Sequence, residues 1–115
     1  MNDVEEIELA EEILSEMLAA DKAGDYQAFI QRMETGDIED FDETVFQNDI
    51  KAMREELGDY KSRVFLGALK GVEENGCSKC LRFVWRAVYE KNEALIVLGI
   101  HERDGQWYVN ENTIS

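Results

Sequence analysis

The stretch Cys80–Glu90, CLRFVWRAVYE, decides the fold of this chain. Its odd-numbered positions from 81 to 89 carry leucine, phenylalanine, tryptophan, alanine and tyrosine, and its even-numbered positions from 82 to 88 carry arginine and valine. Alternation with a period of two, rich in β-branched and aromatic residues, predicts a strand with two different faces. The bulky face needs a partner layer. The other face, with Arg82 and Arg86 among valines, is a candidate dimer surface because it is too apolar to be left fully exposed to solvent.

The same alternation continues after this strand. A tight turn at residues 91–93 leads into a predicted strand over Ala94–Arg103. Asp104 and Gly105 then form a strong hairpin signal, since glycine supplies the positive φ that such turns need. A last strand is predicted over Gln106–Glu111. With a turn at 91–93, the expected register places Arg82 opposite Glu102.

Before the organising strand, which we predict over Lys79–Glu90, another strand is predicted over Ser62–Val72, with a turn at residues 73–78. Four consecutive strands with short turns predict an antiparallel meander. The same register places His101 opposite Phe83, on the bulky face, and Arg86 opposite Leu98.

The first half of the chain has helical periodicity instead. Over Val4–Ala20, apolar residues recur every three to four positions and form one stripe, made of Ile7, Ala10, Leu14, Met17 and Leu18. Asp3 is placed to cap this helix. After Gly24, Asp25 is placed to cap a second helix that runs to Met33 and ends before Gly36.

A third helix is predicted up to Leu57, ended by Gly58. Two starting positions are possible for this helix, because Thr44 with Gln47 has the spacing of a capping box and Asp42 is an alternative cap. Its apolar stripe contains Phe46, Ile50, Met53 and Leu57. The acidic segment between the second and third helices is predicted to be a loop.

Three helices followed by four antiparallel strands is an α+β pattern. The strands are long, and long antiparallel sheets twist and curl. We therefore predict three N-terminal helices packed in a curved four-strand antiparallel sheet, with the third helix in the hollow. At 115 residues the chain is expected to form a single α+β domain over residues 1–115. The mouth of such a cone is a natural pocket.

The charge of the chain is strongly negative and uneven. The formal net charge is −14; residues 1–60 carry 19 acidic and 4 basic side chains, and residues 61–115 carry 7 acidic and 8 basic ones. Nucleic acid and anionic membranes are not expected as partners, because both are negatively charged. An acidic helix surface that engages a basic partner is a further option. No stretch is apolar enough to span a membrane and the N-terminus lacks the pattern of a signal peptide, so we predict a cytoplasmic protein.

Two short motifs carry a resemblance to the nuclear-transport-factor-2-like (NTF2-like) superfamily of cone domains, whose fold is cystatin-like. They are Gly24-Asp25-Tyr26 with Phe29 and the final hairpin Asp104-Gly105-Gln106-Trp107-Tyr108-Val109. The resemblance extends over residues 4–111. It implies the cone fold and a homodimer formed through the sheet. It does not imply one activity, since the superfamily contains isomerases, dehydratases, cyclases, transport adaptors and uncharacterised proteins.

Two functional hypotheses follow. The first is a non-enzymatic domain that binds a small apolar or amphipathic ligand, or a protein partner, in or near the cone pocket, with Trp85, Tyr89, Tyr26 and Arg86 as the candidate binding residues. The second is a small isomerase or hydro-lyase in which His101 is the acid or base and Tyr26 orients the substrate. Enzymes of the resembled superfamily place an Asp–Tyr or Asp–His group in the cone, whereas the acidic residues here are expected mainly on helix surfaces.

Cys77 and Cys80 form a CxxC pair. A zinc site would require two more ligands, and His101 is the single histidine of the chain. The pair is also not followed by a helix, as a thioredoxin-like motif would be. We interpret the two residues as reduced thiols, with metal binding or a redox-sensing disulfide as the alternatives. No metal and no cofactor is predicted.

Overall fold

The computed structural model describes residues 2–70 and 80–115 and has the predicted α+β architecture. The predicted turn at 73–78 and Cys77 lie outside the described residues. In chain order the elements are α1 (Asp3–Ala23), α2 (Tyr26–Ile30), a 3-10 helix (Thr35–Ile38), α3 (Glu43–Leu57), β1 (Tyr60–Lys70), β2 (Cys80–Tyr89), β3 (Glu93–Arg103) and β4 (Gln106–Ile114). None of the helices in the described parts of the chain is long and apolar enough to cross a membrane.

Side-chain caps begin all three α-helices. Asn2, rather than the predicted Asp3, caps α1 by accepting a hydrogen bond from the Glu5 amide. Asp25 caps α2 as predicted. Of the two candidates for α3, Asp42 and not Thr44 is the cap. Because the side chain of a cap satisfies an amide that has no partner inside the helix, each of these residues fixes where its helix begins.

The second helix is shorter than its periodicity predicts, since it ends at Ile30 and not at Met33. The residues that follow join the sheet instead. Met33 forms an isolated parallel bridge to Val109, and the Val109 amide donates to the Arg32 carbonyl oxygen at 2.8 Å. The predicted loop that follows contains the 3-10 helix. Tertiary pairing with β4 therefore overrides the helical pattern at this point.

The four strands form one antiparallel sheet in the order β1-β2-β3-β4, as the meander requires. The register between β2 and β3 differs from the predicted one. Arg82 lies opposite Gly99 and Arg86 opposite Leu95, not opposite Glu102 and Leu98. The reason is that β3 begins at Glu93 and the hairpin is tighter than a turn at 91–93 allows.

This register shift covers an odd number of residues, so it moves side chains of β3 to the other face of the sheet. Phe83 lies opposite Leu98, and His101 lies opposite Cys80. The core face of β3 therefore consists of Ala94, Ile96, Leu98 and Ile100. His101 belongs to the opposite face, which we call the outer face, and its predicted place on the bulky face is wrong.

The helix that packs along the core face of the sheet is α1 and not α3, contrary to the prediction. The apolar stripe of α1 packs with the core faces of β2 and β3, and α3 adds Leu57 from its last turn. Members of the stripe that are almost fully buried are Ala10, Ile13, Leu14 and Met17. Burial of the three larger side chains, those of Ile13, Leu14 and Met17, contributes about 1.5–3 kcal/mol each to the free energy of folding.

The outer face of the sheet carries large apolar side chains in solvent. Val64, Leu69 and Leu95 are 54%, 53% and 42% exposed. They lie in the same rows as two arginines, because Val64 and Leu95 flank Arg86 and Leu69 pairs with Arg82. The outer face is thus apolar and carries charges, as the alternation in β2 predicts.

Candidate functional site

Tyr26 is part of an aromatic cluster and its hydroxyl is already engaged. The hydroxyl donates to the Phe41 carbonyl oxygen at 2.5 Å, and the ring lies 6.0 Å from that of Phe41 and 5.8 Å from that of Phe46. A hydroxyl that holds a loop carbonyl is not free to orient a substrate. The role predicted for Tyr26 as an orienting donor therefore has no geometric support.

His101 is buried, 9% exposed, and is held by a carboxylate. Its Nε2 lies 2.5 Å from Oε1 of Glu34, and Arg103 lies on the other oxygen of the same carboxylate, with 3.2 Å between Nη1 and Oε2. The ring of Tyr108 stacks beside the imidazole at 5.9 Å. The Nδ1 atom has no hydrogen-bond partner among the described residues.

This Glu34–His101–Arg103 group ties the segment after α2 to the end of β3. It lines neither of the two cavities described below. The polar partner that the enzyme hypothesis requires for His101 is therefore present, whereas neither of these two cavities reaches the imidazole.

Trp85 and Arg86 are neighbours that lie on opposite faces of β2. Trp85 is fully buried, and its Nε1–H donates to Oε1 of Glu11 at 2.5 Å. The same glutamate accepts a hydrogen bond from Arg63 at 2.7 Å through its other oxygen. Arg86 lies on the outer face, 3.6 Å from Glu93. Neither of these predicted binding residues lines either of the two cavities described below.

Tyr89 is the predicted binding residue that does line a cavity. It is 4% exposed, lies edge-on to Tyr60 with 5.6 Å between ring centroids, and its hydroxyl has no hydrogen-bond partner among the described residues. Burial, with smaller contributions from Asp21 and Tyr60, raises the pKa of Tyr89 to about 12. The hydroxyl is therefore protonated at neutral pH and available as a donor.

Asp21 is the titratable residue that the sequence reasoning missed. It lies in the last turns of α1 and is only 9% exposed. Burial raises the pKa of the Asp21 carboxyl to about 7, although the positive charge of Arg54 opposes this. Among the described residues no donor lies within hydrogen-bonding distance of the carboxyl oxygens. A carboxyl group that holds its proton near neutral pH can act as a hydrogen-bond donor.

A sequence signal for Asp21 exists. The predicted apolar stripe passes through Ala10, Leu14 and Met17, and its next position at helical spacing is residue 21. The predicted first helix ends at Ala20, whereas α1 continues to Ala23. The added turn places the carboxyl on the buried stripe, so the expectation that acidic residues lie on helix surfaces is wrong at this position.

Asp21 lines two cavities. The first, which we call the acidic cavity, lies between α2, α3 and β4 and has a volume of about 540 Å³. Its apolar lining consists of Phe29, Met33, Phe41, Phe46, Ile50, Ala52, Met53, Leu57, Val109 and Ile114. Its charged lining residues are all acidic, namely Asp21, Asp37, Asp49, Glu56 and Glu111. An apolar floor with acidic groups around it favours a ligand that is apolar and positively charged.

The second, which we call the basic cavity, lies between the C-terminal ends of α1 and α3 and the first residues of β1. Its volume is about 470 Å³. Its basic lining residues are Lys22, Arg54, Lys61 and Arg63, and its acidic ones are Asp21 and Asp59. Tyr60 and Tyr89 supply the hydroxyl groups. Asp21 therefore separates two cavities of opposite charge.

Cys80 is disulfide-bonded in the structure, and the interpretation as two reduced thiols is therefore wrong for Cys80. Within the described ranges 2–70 and 80–115, no group of three or more His, Cys, Asp or Glu residues is arranged to hold a metal ion.

Comparison with known proteins shows the fold but no family. The sequence matches no family model and no curated protein. Among solved structures, the chain is similar to the solution structure of a SEC-C motif containing protein from Rhodopseudomonas palustris. The two have a TM-score of 0.51 and 19% sequence identity over 84% of this chain and 71% of that chain. At this level of identity the match shows a shared fold and not a shared activity.

This match corrects the resemblance to the NTF2-like superfamily, which is wrong. A solved structure that shares the fold is a SEC-C motif containing protein, and no family match supports the NTF2-like superfamily. The physical reason is that the quoted motifs are local. Gly24 ends α1 with a positive φ, Asp25 caps α2, and Asp104-Gly105 forms a hairpin turn. Any helix pair or hairpin can need the same residues, so the motifs do not identify a superfamily.

Proposed function

We propose that this protein is a small-ligand-binding domain and that the acidic cavity binds an amphipathic cation. The observation that carries the proposal is the composition of the lining, in which an apolar floor meets five carboxyl groups. Among the described lining residues there is no lysine, arginine or histidine. The apolar body of a ligand would be bound by burial against Phe29, Phe46 and Ile50, and its cationic group by those lining carboxylates that have no ion-pair partner.

The size of the cavity agrees with this ligand class. A volume of about 540 Å³ lies within the range of about 300–1,000 Å³ that small-molecule sites have. Three of the carboxyl groups, those of Asp37, Asp49 and Glu56, have no ion-pair partner among the described residues. A cationic ligand would relieve the repulsion between them, which gives electrostatics a part in the affinity.

The proposal includes a curved sheet that opens toward the acidic cavity. Register shifts occur between Phe65 and Gly67 and between Gly99 and Ile100. Bulges of this kind bend a strand and increase its twist, which supports a cone. A cytoplasmic location stays a prediction.

The test is a calorimetric titration with three ligands that share one apolar chain, namely octylammonium, octanol and octanoate. We expect octylammonium to bind most tightly. In a matched pair of variants, Glu56→Lys should weaken octylammonium binding by about fivefold or more, the equivalent of about 1 kcal/mol. Glu55→Lys should not, because Glu55 is exposed on the same helix but does not line this cavity. Equal affinities for octylammonium and octanol would contradict the cationic part of the proposal, and no binding of either would contradict the whole.

The alternative function, an isomerase or hydro-lyase with His101 as acid or base, has less support. His101 pairs with Glu34 and lines neither the acidic nor the basic cavity. An enzyme of this kind needs its acid or base within reach of a bound substrate. We therefore favour the binding domain.

We also propose that the outer face of the sheet is covered by a second copy of the chain. Val64, Leu69 and Leu95 supply exposed apolar area, and the ion pairs Arg82–Glu111 and Arg86–Glu93 balance the charge there. Two such faces can meet without net repulsion, unlike the acidic helices. Light scattering should show a dimer that Leu95→Glu converts to a monomer. The control, Val45→Glu, exposes the same new charge on α3 and should leave the dimer intact.

A further inference from the structure

The basic cavity differs from the rest of the protein surface in its charge. Four of the 12 lysine and arginine residues of the chain line it, against two of the 26 acidic residues. In a protein with a net charge of −14 this is a local reversal of sign. A cleft lined by one sign of charge concentrates ions of the other sign.

We infer that the basic cavity is a second ligand site, which binds a small monocarboxylate with an apolar body. The site does not depend on the proposed function, because its lining shares only Asp21 and Met53 with that of the acidic cavity.

Its cations differ in how far they are already engaged. Arg63 is fully used, since its guanidinium donates to Glu11, Ser15 and the Tyr60 hydroxyl. Arg54 donates through Nη2 to the carbonyl oxygens of Asp21 and Lys22, which leaves its Nε and Nη1 for a ligand.

Lys22 and Lys61 are exposed, and neither has a carboxylate within ion-pair distance in the described part of the chain. Together with Arg54 they form the cationic side of the site. Arg63 holds its wall in place.

The hydroxyl groups supply a second, independent indication of a ligand. Tyr89 lines the cavity, is almost fully buried, and has a hydroxyl with no hydrogen-bond partner among the described residues. A buried polar group without a partner is rare in native proteins, and a missing ligand or water is a common explanation. The Tyr60 hydroxyl accepts from Arg63 at 2.9 Å, so its own proton is free to be donated.

The rest of the lining defines the class of anion. Leu18, Ala19 and Met53 form an apolar wall, which suits a hydrocarbon or aromatic body. Asp59 lies in the same lining, so a second negative charge on the ligand would be repelled. A single carboxylate on an apolar body satisfies the cations, the hydroxyl groups and the wall together.

The test is a titration of the assigned, ¹⁵N-labelled protein with octanoate, followed by amide shifts. We expect octanoate to shift the amides of Ala19, Gly58 and Lys61, and octylammonium to shift those around the acidic cavity. Lys61→Met should weaken octanoate binding by about threefold or more, in keeping with the loss of one exposed charge contact. Lys51→Met removes the same charge from an exposed position of α3 outside this cavity and should leave the affinity unchanged.

The outcomes for the two cavities are separable. Octanoate shifts at the basic cavity without octylammonium shifts at the acidic one would support this inference and overturn the proposed function, and the reverse result would do the opposite. Octanol shifting the basic cavity as strongly as octanoate would overturn the carboxylate assignment. Tyr89→Phe, which keeps the ring and removes the hydroxyl, should also weaken octanoate binding. An unchanged affinity would show that the Tyr89 hydroxyl does not contact the ligand.

Discussion

Replacement of Asp21 by asparagine tests whether the buried carboxyl group that lines both cavities holds a proton in the folded protein. Burial raises the pKa of this group from 3.8 to about 7. Between these two values the folded protein holds a proton that the unfolded chain has released, so the free energy of unfolding falls as the pH rises. Below about pH 4 both states are protonated and the penalty is absent, whereas above about pH 7 it is complete.

The size of the effect follows from the shift. One unit of pKa corresponds to about 1.4 kcal/mol, so the complete penalty is about 4 kcal/mol. The sequence pI is about 4.3, and measurements are best made above it to keep the protein soluble. Between about pH 5 and about pH 8 the penalty should grow by about 3 kcal/mol.

Asp21→Asn keeps the shape of the side chain and removes its ionisation. Any constant cost of burying the amide cancels when the variant and the wild type are compared at several pH values. The difference between their free energies of unfolding should therefore shift by about 3 kcal/mol in favour of the variant from about pH 5 to about pH 8.

Urea unfolding followed by tryptophan fluorescence provides the measurement, because Trp85 is fully buried and reports the loss of the core. Asp40→Asn is the control, since Asp40 is exposed and lines neither the acidic nor the basic cavity. Its difference from the wild type should stay nearly constant with pH. A constant difference for Asp21→Asn as well would refute the reasoning, because the carboxyl would then not hold a proton in the folded protein.

Three further substitutions test other features of the fold. Tyr89→Phe should leave the melting temperature unchanged or raise it, because it removes a buried hydroxyl that has no partner; a clear fall in a thermal melt would show that the hydroxyl is bonded. Gly99→Ala should lower the free energy of unfolding by about 1–3 kcal/mol in urea, because the new Cβ would lie 2.9 Å from Cβ of Glu111, and an unchanged value would mean that β4 adjusts freely. Glu34→Ala should cost about 1–3 kcal/mol in the same assay by leaving His101 buried with neither nitrogen bonded, and no loss would show that this pairing is not needed for stability.

Periodicity could predict which residues are buried but not what they pack against. Most of the predicted stripe of α1 and of the predicted bulky face of β2 is buried, whereas Ile7, Leu18 and Leu81 are only partly buried. The helix packed on the core face of the sheet was predicted to be α3, and it is α1. Both helices are amphipathic, and a periodic pattern contains no information on which partner each helix has.

Two other misses have local causes. The face on which His101 lies depends on the length of one turn, and the turn before Glu93 is shorter than predicted, which moves the histidine to the outer face. Asp21 was missed because its charge suggested a surface position, although helical spacing places it on the stripe of Leu14 and Met17. Buried charged residues are rare, so reasoning from sequence places acidic residues on the surface by default. The residues for which this default fails are often found at functional sites.

The pairing of β4 with the segment after α2 has a consequence for the order in which the chain folds. The Val109 amide bonds the Arg32 carbonyl oxygen, so the first half of the chain is fastened to its last strand. On the ribosome, α1 and α2 emerge long before residues 106–114, and the contact cannot form until that strand has been synthesised. Non-local contacts of this kind slow folding. Until β2 and β3 have been synthesised, the apolar side chains of α1 also lack the strands on which they pack, so a chaperone could bind them.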